Sequence, residues 1–192
     1  MGETRTDTSV GRLLPGVEAQ LIGPDEKPVG DGEVGELWVR GPNVMKGYYR
    51  APEETAAAIS RDGWFNTRDL ARLQNGYLFI EGRTTELIIR FGLNVYPAEV
   101  EGVLNAHPAV ARSAVIGRVV AGTAGGEEVV AFVQLKLNSA VQESEIAHYA
   151  AQHLAPHKRP SHILMVPDMP LTLTGKVVKG ELRKLPQFDR LR

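Results

Sequence analysis

The sequence of 192 residues contains no cysteine, and this absence removes three classes of site at once. Without a thiol there is no disulfide scaffold, no thiolate-bound zinc and no cysteine nucleophile. Long apolar runs are also missing, because no stretch approaches the roughly 20 residues that a membrane-spanning helix needs. The first residues show no basic-then-apolar signal peptide. We therefore expect a soluble, cytoplasmic protein without a transmembrane segment.

The sequence also has little excess charge of either sign. Lys and Arg number 22 and Asp and Glu number 23, which gives a formal net charge of −1. Bulk electrostatics therefore does not favour a nucleic-acid partner. The hydrophobic content of 43% is enough for one domain with a sizeable core, or for two small ones.

Turn signals punctuate the first third of the chain. Four Gly- and Pro-containing turns stand at residues 15–16, 23–25, 30–32 and 41–42. The β-rich segments between them, 17–22 and 36–40, predict a small antiparallel unit. Pro52, followed by two glutamates, predicts a helix over 52–59. Strands and turns are predicted over 62–82.

The second half has a different pattern, which mixes helices and strands. Pro97 opens a predicted helix, and a second helix is predicted over 143–154. Further strands are predicted at residues 77–80, 110–116, 129–137 and 163–166. A flexible stretch is expected at 121–126, and 177–182 is predicted as a helix or an extended segment. The pattern indicates an α+β unit that begins near residue 82.

Four segments, in this order, carry a family resemblance. They are GELWVRGP from 35 to 42, GWFNTRDL from 63 to 70, GRTTELIIRFGLNVYPAEVE from 82 to 101 and PLTLTGKVVKGELR from 170 to 183. Together they resemble the adenylate-forming superfamily, which includes acyl-CoA synthetases, peptide-synthetase adenylation domains and luciferases. The resemblance runs from about residue 10 to residue 185.

The resemblance implies an α+β fold in two parts. Residues 1–81 would form the β-rich last subdomain of the family's large N-terminal half. Residues 82–192 would form the compact, mobile C-terminal domain, with a hinge near 83–86. The family's Ser/Thr/Gly-rich phosphate loop is not found in this sequence, so we expect the chain to be a C-terminal portion whose partner is the missing N-terminal domain.

The resemblance also assigns candidate nucleotide-binding residues. Asp69 matches the aspartate that binds the ribose, and its carboxylate can accept hydrogen bonds from both hydroxyls. Arg83 matches an arginine that also contacts the ribose. Ile80 matches an apolar position beside the base, although an ordinary core residue of a strand fits the same pattern. Thr85 occupies the hinge position.

Two further positions are assigned to the two half-reactions. Lys176 matches the catalytic lysine that stabilises charge on the α-phosphate during adenylation. Gly92 matches the loop that lines the pantetheine channel for CoA, and an ordinary turn glycine is an equally good interpretation. Three residues depart from the family pattern. Arg68 stands where glycine is usual, Thr85 where Asp or Lys is common, and Phe91 where many relatives have Ser or Gly.

The implied activity is that of an AMP-forming, fatty-acid-type acyl-CoA ligase, an acid–thiol ligase. A small carboxylic acid and ATP, with Mg²⁺, would give an acyl-adenylate, and CoA would then displace AMP. We expect the isolated chain to be inactive. The five histidines are interpreted as structural or surface groups, and no metal site is predicted within the chain.

Two alternatives stay open at this stage. The chain can belong to an adenylation domain that loads a carrier protein. The segment from 94 to 99, NVYPAE, looks closer to the CoA ligases. A non-catalytic interaction module of the same fold is the other alternative. Asp69, Arg83 and Lys176 argue against it, while the three departures keep it open.

Overall fold

The computed structural model describes residues 8–120 and 126–191, and the chain divides into two compact units at Thr85 and Glu86. The predicted boundary near residue 82 lies a few residues earlier, and the predicted hinge at 83–86 includes the division. Most of the stretch expected to be flexible, residues 121–125, lies outside the described residues. No helix of the described residues has both the length and the apolar character needed to cross a bilayer.

The first unit is built on a four-stranded antiparallel sheet. Its strands are β1 (Glu18–Ile22), β2 (Val34–Arg40), β3 (Phe65–Gln74) and β4 (Tyr77–Arg83), in that spatial order. One short helix, α1 (Pro52–Ala58), lies between β2 and β3 in the sequence and starts at the proline predicted to open it. The core of the sheet contains Leu21, Leu37, Ala71 and Leu78. The antiparallel unit predicted from the turn signals is therefore present. Its strand β3 has ten residues and is longer than any strand that the sequence predicted.

The second unit contains a three-stranded sheet, with two helices on one face and the C-terminal segment on the other. The strands are β7 (Val110–Val119), β8 (Glu127–Leu135) and β9 (His162–Met165), and β8 pairs antiparallel with β7 and parallel with β9. A parallel pair needs a crossover, which α3 (Glu143–His153) supplies. The helix α2 (Pro97–Asn105) starts at the predicted proline.

The α3 helix begins with a reciprocal cap that the prediction of 143–154 did not include. The backbone N–H of Gln142 donates to Glu145 Oε1 at 2.9 Å, and the Gln142 side chain accepts from the backbone of the same glutamate. Two backbone donors are satisfied in this way, so the start of the helix is well defined.

The central strand of this sheet is buried on both faces. Val129, Ala131 and Val133 pack with α2 and α3, in a cluster that includes Leu104 and Ile146. The residues between them, Val130 and Phe132, pack against the C-terminal segment. A strand covered on both faces reads as a continuous apolar run, which is the pattern of residues 129–133. The strand ends at Leu135, so the predicted extension to residue 137 is wrong.

Three short elements differ from the predictions. The hairpin of β5 (Ile88–Arg90) and β6 (Leu93–Val95) was not predicted as strands. The predicted segment 177–182 is helical only over α4 (Lys179–Leu182), and α5 (Pro186–Asp189) follows it. Strands of three residues are too short to show a periodicity, which is why the hairpin was missed.

We expect Leu104→Ala to destabilise the second unit strongly. The side chain is fully buried on α2, so the change removes apolar contacts and leaves a cavity. The free energy of unfolding in urea should fall by about 2–5 kcal/mol. Leu137→Ala deletes the same atoms from a side chain that is 93% exposed and should change it by less than about 0.5 kcal/mol. Equal effects of the two changes contradict the placement of α2.

Acid should weaken the second unit through Glu128. Its hydrogen bond with Arg118, at 2.5 Å, and its proximity to His162 lower the pKa of the carboxyl from its usual 4.5. A lowered folded-state pKa stabilises the protein above the unfolded-state pKa, and the stabilisation is lost as the pH falls through the folded value. At pH 7 the free energy of unfolding should therefore be higher for wild type than for Glu128→Gln. This difference should shrink below about pH 4.5, measured by urea titrations at each pH.

A matched control for this pH dependence is Glu26→Gln. The Glu26 carboxyl is exposed in the turn between β1 and β2, outside any helix, and forms no ion pair with a described residue. Its gap from wild type should change little between pH 7 and acid, measured by the same urea titrations. A Glu128→Gln gap that does not depend on pH rules out the charge of Glu128 as the cause.

Candidate active-site elements

An irregularity in β3 directly precedes Asp69. Leu37 of the neighbouring strand lies opposite residues 67–69, so the strand bulges at this point. Arg68 at the centre of the bulge has a φ of 59°, in the left-handed region that favours glycine. Its backbone N–H donates to Asn66 Oδ1 at 2.8 Å. Bulges re-aim the neighbouring side chain, and here that side chain is the predicted ribose-binding aspartate.

Asp69 and Arg83 form an ion pair across two strands. They are direct partners in the β3–β4 register, and Arg83 Nε lies 3.1 Å from Asp69 Oδ1. The Asp69 side chain is 26% exposed and the Arg83 side chain 63% exposed. The other Asp69 oxygen, Oδ2, accepts no hydrogen bond from the described residues. The pair therefore offers a partly shielded acceptor beside an accessible guanidinium, which is the donor and acceptor set that fits two hydroxyl groups.

The backbone of Asp69 is held by Thr67. The Asp69 N–H donates to Thr67 Oγ1 at 3.1 Å, and this hydroxyl donates to the Leu37 carbonyl at 2.9 Å. Residues that are positioned by their own hydrogen bonds present a ligand group at little entropic cost. The bulge therefore holds Asp69 in place.

Ile80 is an exposed strand residue. Its side chain is 41% exposed, whereas Leu78 and Phe79 before it are buried. It therefore does not belong to the core, and the interpretation as an ordinary core residue is wrong. An exposed isoleucine three residues before Arg83 of the ion pair is compatible with an apolar contact to a ligand.

A one-turn 3₁₀ helix, Thr84–Glu86, follows β4 and contains the predicted hinge residue. Thr85 is exposed, and the division between the two compact units comes directly after it. The hydroxyl of Thr84 donates to the Arg68 carbonyl at 3.2 Å. The turn is therefore connected to the same bulge that presents Asp69.

Lys176 lies in a tight hairpin in the second unit, which we call the Lys176 hairpin (residues 170–178). Leu171 and Val177 bridge across it, and the Thr172 N–H donates to the Lys176 carbonyl at 2.8 Å. Gly175 has a φ of 81°, so a residue without a β-carbon suits this point of the turn. The Lys176 side chain is exposed and forms no ion pair with any residue in the described ranges. The hairpin therefore presents a free ammonium on an ordered backbone.

Gly92 lies at the tip of the β5–β6 hairpin. Both central residues have positive φ, 53° at Phe91 and 74° at Gly92, which is the pattern of a type I′ turn. A β-carbon built on Gly92 meets no described heavy atom within 4 Å. Within this chain the glycine is therefore explained by the turn. The side chains of Ile89, Phe91 and Leu93 are all exposed, so the tip is apolar.

The side chains of four of the five histidines contact other groups of the protein. His153 Nδ1 lies 2.8 Å from the Tyr149 carbonyl, and His107 Nδ1 accepts from the Ala109 N–H at 3.2 Å. His148 lies 3.0 Å from the Gln152 amide, and His162 contacts Glu128. Within residues 8–120 and 126–191 no group of three or more His, Asp or Glu side chains is placed to hold a metal ion.

Two family models match the chain, one within each of its two compact units. Residues 1–49 match the family model of the AMP-binding enzyme, and residues 99–176 match the AMP-binding enzyme C-terminal domain. The structure superposes on ATP-bound MatB from Rhodopseudomonas palustris with a TM-score of 0.86 and 39% identity, over 94% of this chain and 36% of MatB. The chain belongs to the AMP-binding enzyme family. The expected α+β fold class and the resemblance to adenylate-forming enzymes are both confirmed.

Curated relatives in this AMP-binding family are CoA ligases. The chain is 42% identical to the 2-succinylbenzoate–CoA ligase of Geobacillus kaustophilus, over 96% of this chain and 40% of that enzyme. It is 37% identical to the 4-coumarate–CoA ligase-like protein 2 of Arabidopsis thaliana, over 95% of this chain and 32% of that protein. The chain therefore spans about a third of the length of the curated relatives it matches, and it corresponds to their C-terminal region.

One charged cluster was not found from the sequence. Lys179, three residues after Lys176, contacts the carboxylates of Glu86 and Glu101. Lys179 and Glu86 are 93 residues apart in the chain, so no local pattern connects them. A lysine in a basic C-terminal segment carries no signal of such a contact.

The left-handed backbone at Arg68 predicts how a glycine there would change the free energy of unfolding. Replacing it with glycine removes the steric cost of the left-handed conformation but adds unfolded-state entropy. We expect Arg68→Gly to leave the unfolding free energy unchanged or to raise it by up to about 1 kcal/mol. Arg61→Gly, at an exposed arginine without a positive φ, should lower it by roughly 0.5–1 kcal/mol. A larger loss for Arg68→Gly than for Arg61→Gly contradicts the strained bulge.

Proposed function

We propose that the chain is the C-terminal portion of an AMP-forming acyl-CoA ligase and acts together with an N-terminal domain. The single observation that carries this proposal is Lys176. Its ammonium is exposed, has no ion-pair partner among the described residues and stands on an ordered hairpin. A lysine kept for solubility needs no such hairpin, whereas a lysine that must reach a phosphate does.

In the first half-reaction a carboxylate oxygen attacks the α-phosphorus of ATP and pyrophosphate leaves, which gives an acyl-adenylate. Lys176 stabilises the negative charge that develops on the α-phosphate as the carboxylate attacks and pyrophosphate leaves. Asp69 and Arg83 bind the ribose hydroxyls, with Asp69 Oδ2 as the free acceptor, and Ile80 contacts the base. These roles account for the partial exposure of all three side chains.

In the second half-reaction the CoA thiol attacks the acyl carbonyl, a thioester forms and AMP leaves with the proton balance taken up by solvent. The Gly92 hairpin serves this step, with its apolar tip beside the pantetheine arm. Movement about Thr85 exchanges the Lys176 hairpin for the Gly92 hairpin between the two steps. Two hairpins on one unit and an exposed turn before that unit support this division of work.

Magnesium accompanies the phosphates of ATP in this proposal. The described residues place no acidic cluster that suits it, so the N-terminal domain and the phosphates themselves supply its ligands. No step assigned to this chain passes through the metal.

The acid is chosen outside this chain. The relatives it matches include ligases named for 2-succinylbenzoate, sulfoacetate and indoleacetate, which are chemically different acids. Enzymes that act on such different acids share similar C-terminal regions. This similarity supports a C-terminal region that binds the groups that all of these reactions have in common. Those groups are the adenylate and the thiol.

A chimera tests the proposed function. The N-terminal part of the Geobacillus kaustophilus 2-succinylbenzoate–CoA ligase is joined to this chain, which replaces the matching 40% of that enzyme. We expect pyrophosphate release that depends on 2-succinylbenzoate and ATP, followed by thioester formation with CoA. Lys176→Ala should lower pyrophosphate release by about 100-fold or more, because a preorganised charge at the transition state is lost.

The matched control is Lys184→Ala, at a surface lysine that pairs only with Glu181 at 2.7 Å among the described residues. This variant should keep wild-type rates. Adenylate that forms but passes only to a carrier protein, not to CoA, supports the carrier-loading alternative. A folded chimera without adenylate formation, beside an active parent ligase, supports the non-catalytic module.

A further inference from the structure

Lys179 is the centre of a charged cluster in the second unit. Its Nζ lies 3.0 Å from Glu101 Oε1 and also forms an ion pair with Glu86 Oε2. The lysine side chain is only 20% exposed, and those of Glu86 and Glu101 are 40% and 21% exposed. Ion pairs with this degree of shielding are screened less by solvent than fully exposed ones.

One arm of the cluster is fixed to the core. Glu101 lies on α2, and its Oε1 also accepts the backbone N–H of Val115 at 2.8 Å. Val115 is fully buried on β7. Glu101 therefore connects the helix, the sheet and Lys179, and it provides a rigid point of attachment.

The other arm connects to the hinge. Glu86 is the residue after Thr85 and the first residue of the second unit. Through Lys179 the carboxylate of Glu86 is tied to the segment that follows the Lys176 hairpin. The chain thus places one ammonium between the hinge and the hairpin.

Lys179 also stands at the base of the Lys176 hairpin. The Val178 N–H donates to the Pro170 carbonyl at 2.8 Å and closes the hairpin directly before Lys179. Nearer the tip, Arg112 Nη1 donates to the Gly175 carbonyl at 3.3 Å, at an exposed and longer contact. The direction of the hairpin therefore depends on how its base is held.

We propose that Lys179 is a positioning residue that holds the Lys176 hairpin in the orientation needed for adenylation. This inference rests on the proposed function, in which Lys176 is the catalytic lysine. Lys179 touches no reacting atom. It acts through the two carboxylates, because a hairpin that is displaced by about 1 Å presents its ammonium in the wrong place.

The half-reactions separate a positioning role from a merely structural one. In the chimera described above, Lys179→Met should lower adenylate formation by between about 10- and 100-fold. Thioester formation from supplied acyl-adenylate and CoA should be unchanged, since Lys176 does not act in that step. Lys179→Arg, which keeps a cation between the two carboxylates, should restore adenylation.

Lys158→Met is the matched control. Lys158 forms an ion pair at 2.7 Å with Glu99, which lies on α2 as Glu101 does. The Lys158 side chain is 24% exposed, similar to that of Lys179, but Lys158 does not adjoin the hairpin. It should leave both half-reactions unchanged. If Lys179→Met lowers both half-reactions together, or neither, the positioning role is overturned. If the chimera that carries the wild-type chain forms no adenylate, or forms it equally well with Lys176→Ala, the proposed function is overturned instead.

Hydrogen exchange on the 192-residue chain tests the inference without any catalysis. The amides of Gly175 and Lys176 are bonded to Thr172, so their exchange reports on the hairpin. Lys179→Met and the milder Glu86→Gln should both speed exchange over residues 172–178. Lys158→Met should not. Unchanged hairpin exchange in a folded Lys179→Met chain overturns the proposal even when the chimera is inactive.

Discussion

The two-sided burial of β8 is the constraint on which the second unit depends. Five consecutive apolar residues, 129–133, direct alternate side chains to opposite faces of the sheet, so each face must be covered. Helices α2 and α3 cover one face. The C-terminal segment covers the other and includes Leu182, which is fully buried. Because the Lys176 hairpin lies in that same segment, the packing that completes the core also fixes where the candidate catalytic lysine emerges.

In the first unit the bulge in β3 fixes the position of the candidate site residue Asp69, as the packing of β8 does for Lys176. A regular strand would alternate Thr67, Arg68 and Asp69 between its faces, whereas the bulge places three residues opposite one. The cost is a non-glycine residue in the left-handed region at Arg68. Phe91 shows the same feature at the tip of the other hairpin. Two of the three departures from the family pattern, Arg68 and Phe91, thus fall where the backbone favours glycine, and the chain accepts the conformation without it.

Elements with a local signal could be predicted from the sequence, and elements held by distant contacts could not. Pro97 and Pro52 marked helix starts correctly, since proline suits the first helical position. The β5–β6 hairpin was missed because three-residue strands carry no periodicity. The burial of Ile80 could not be decided, since an exposed and a buried isoleucine look alike in a strand. Lys179 was missed because its partners are remote in sequence. The roles of Asp69, Arg83, Thr85, Gly92 and Lys176 stay predictions.

The apolar tip of the β5–β6 hairpin has a practical consequence. Ile89, Phe91 and Leu93 are each exposed on one short ribbon, and the strand register directs Ile89 and Leu93 to opposite faces of it. Apolar side chains on both faces of the ribbon are open to contact from a second copy, so we expect any self-association of the chain alone to increase with its concentration. Detergent micelles or a hydrophobic resin would compete for the same surface, and handling the chain at low concentration would limit the loss.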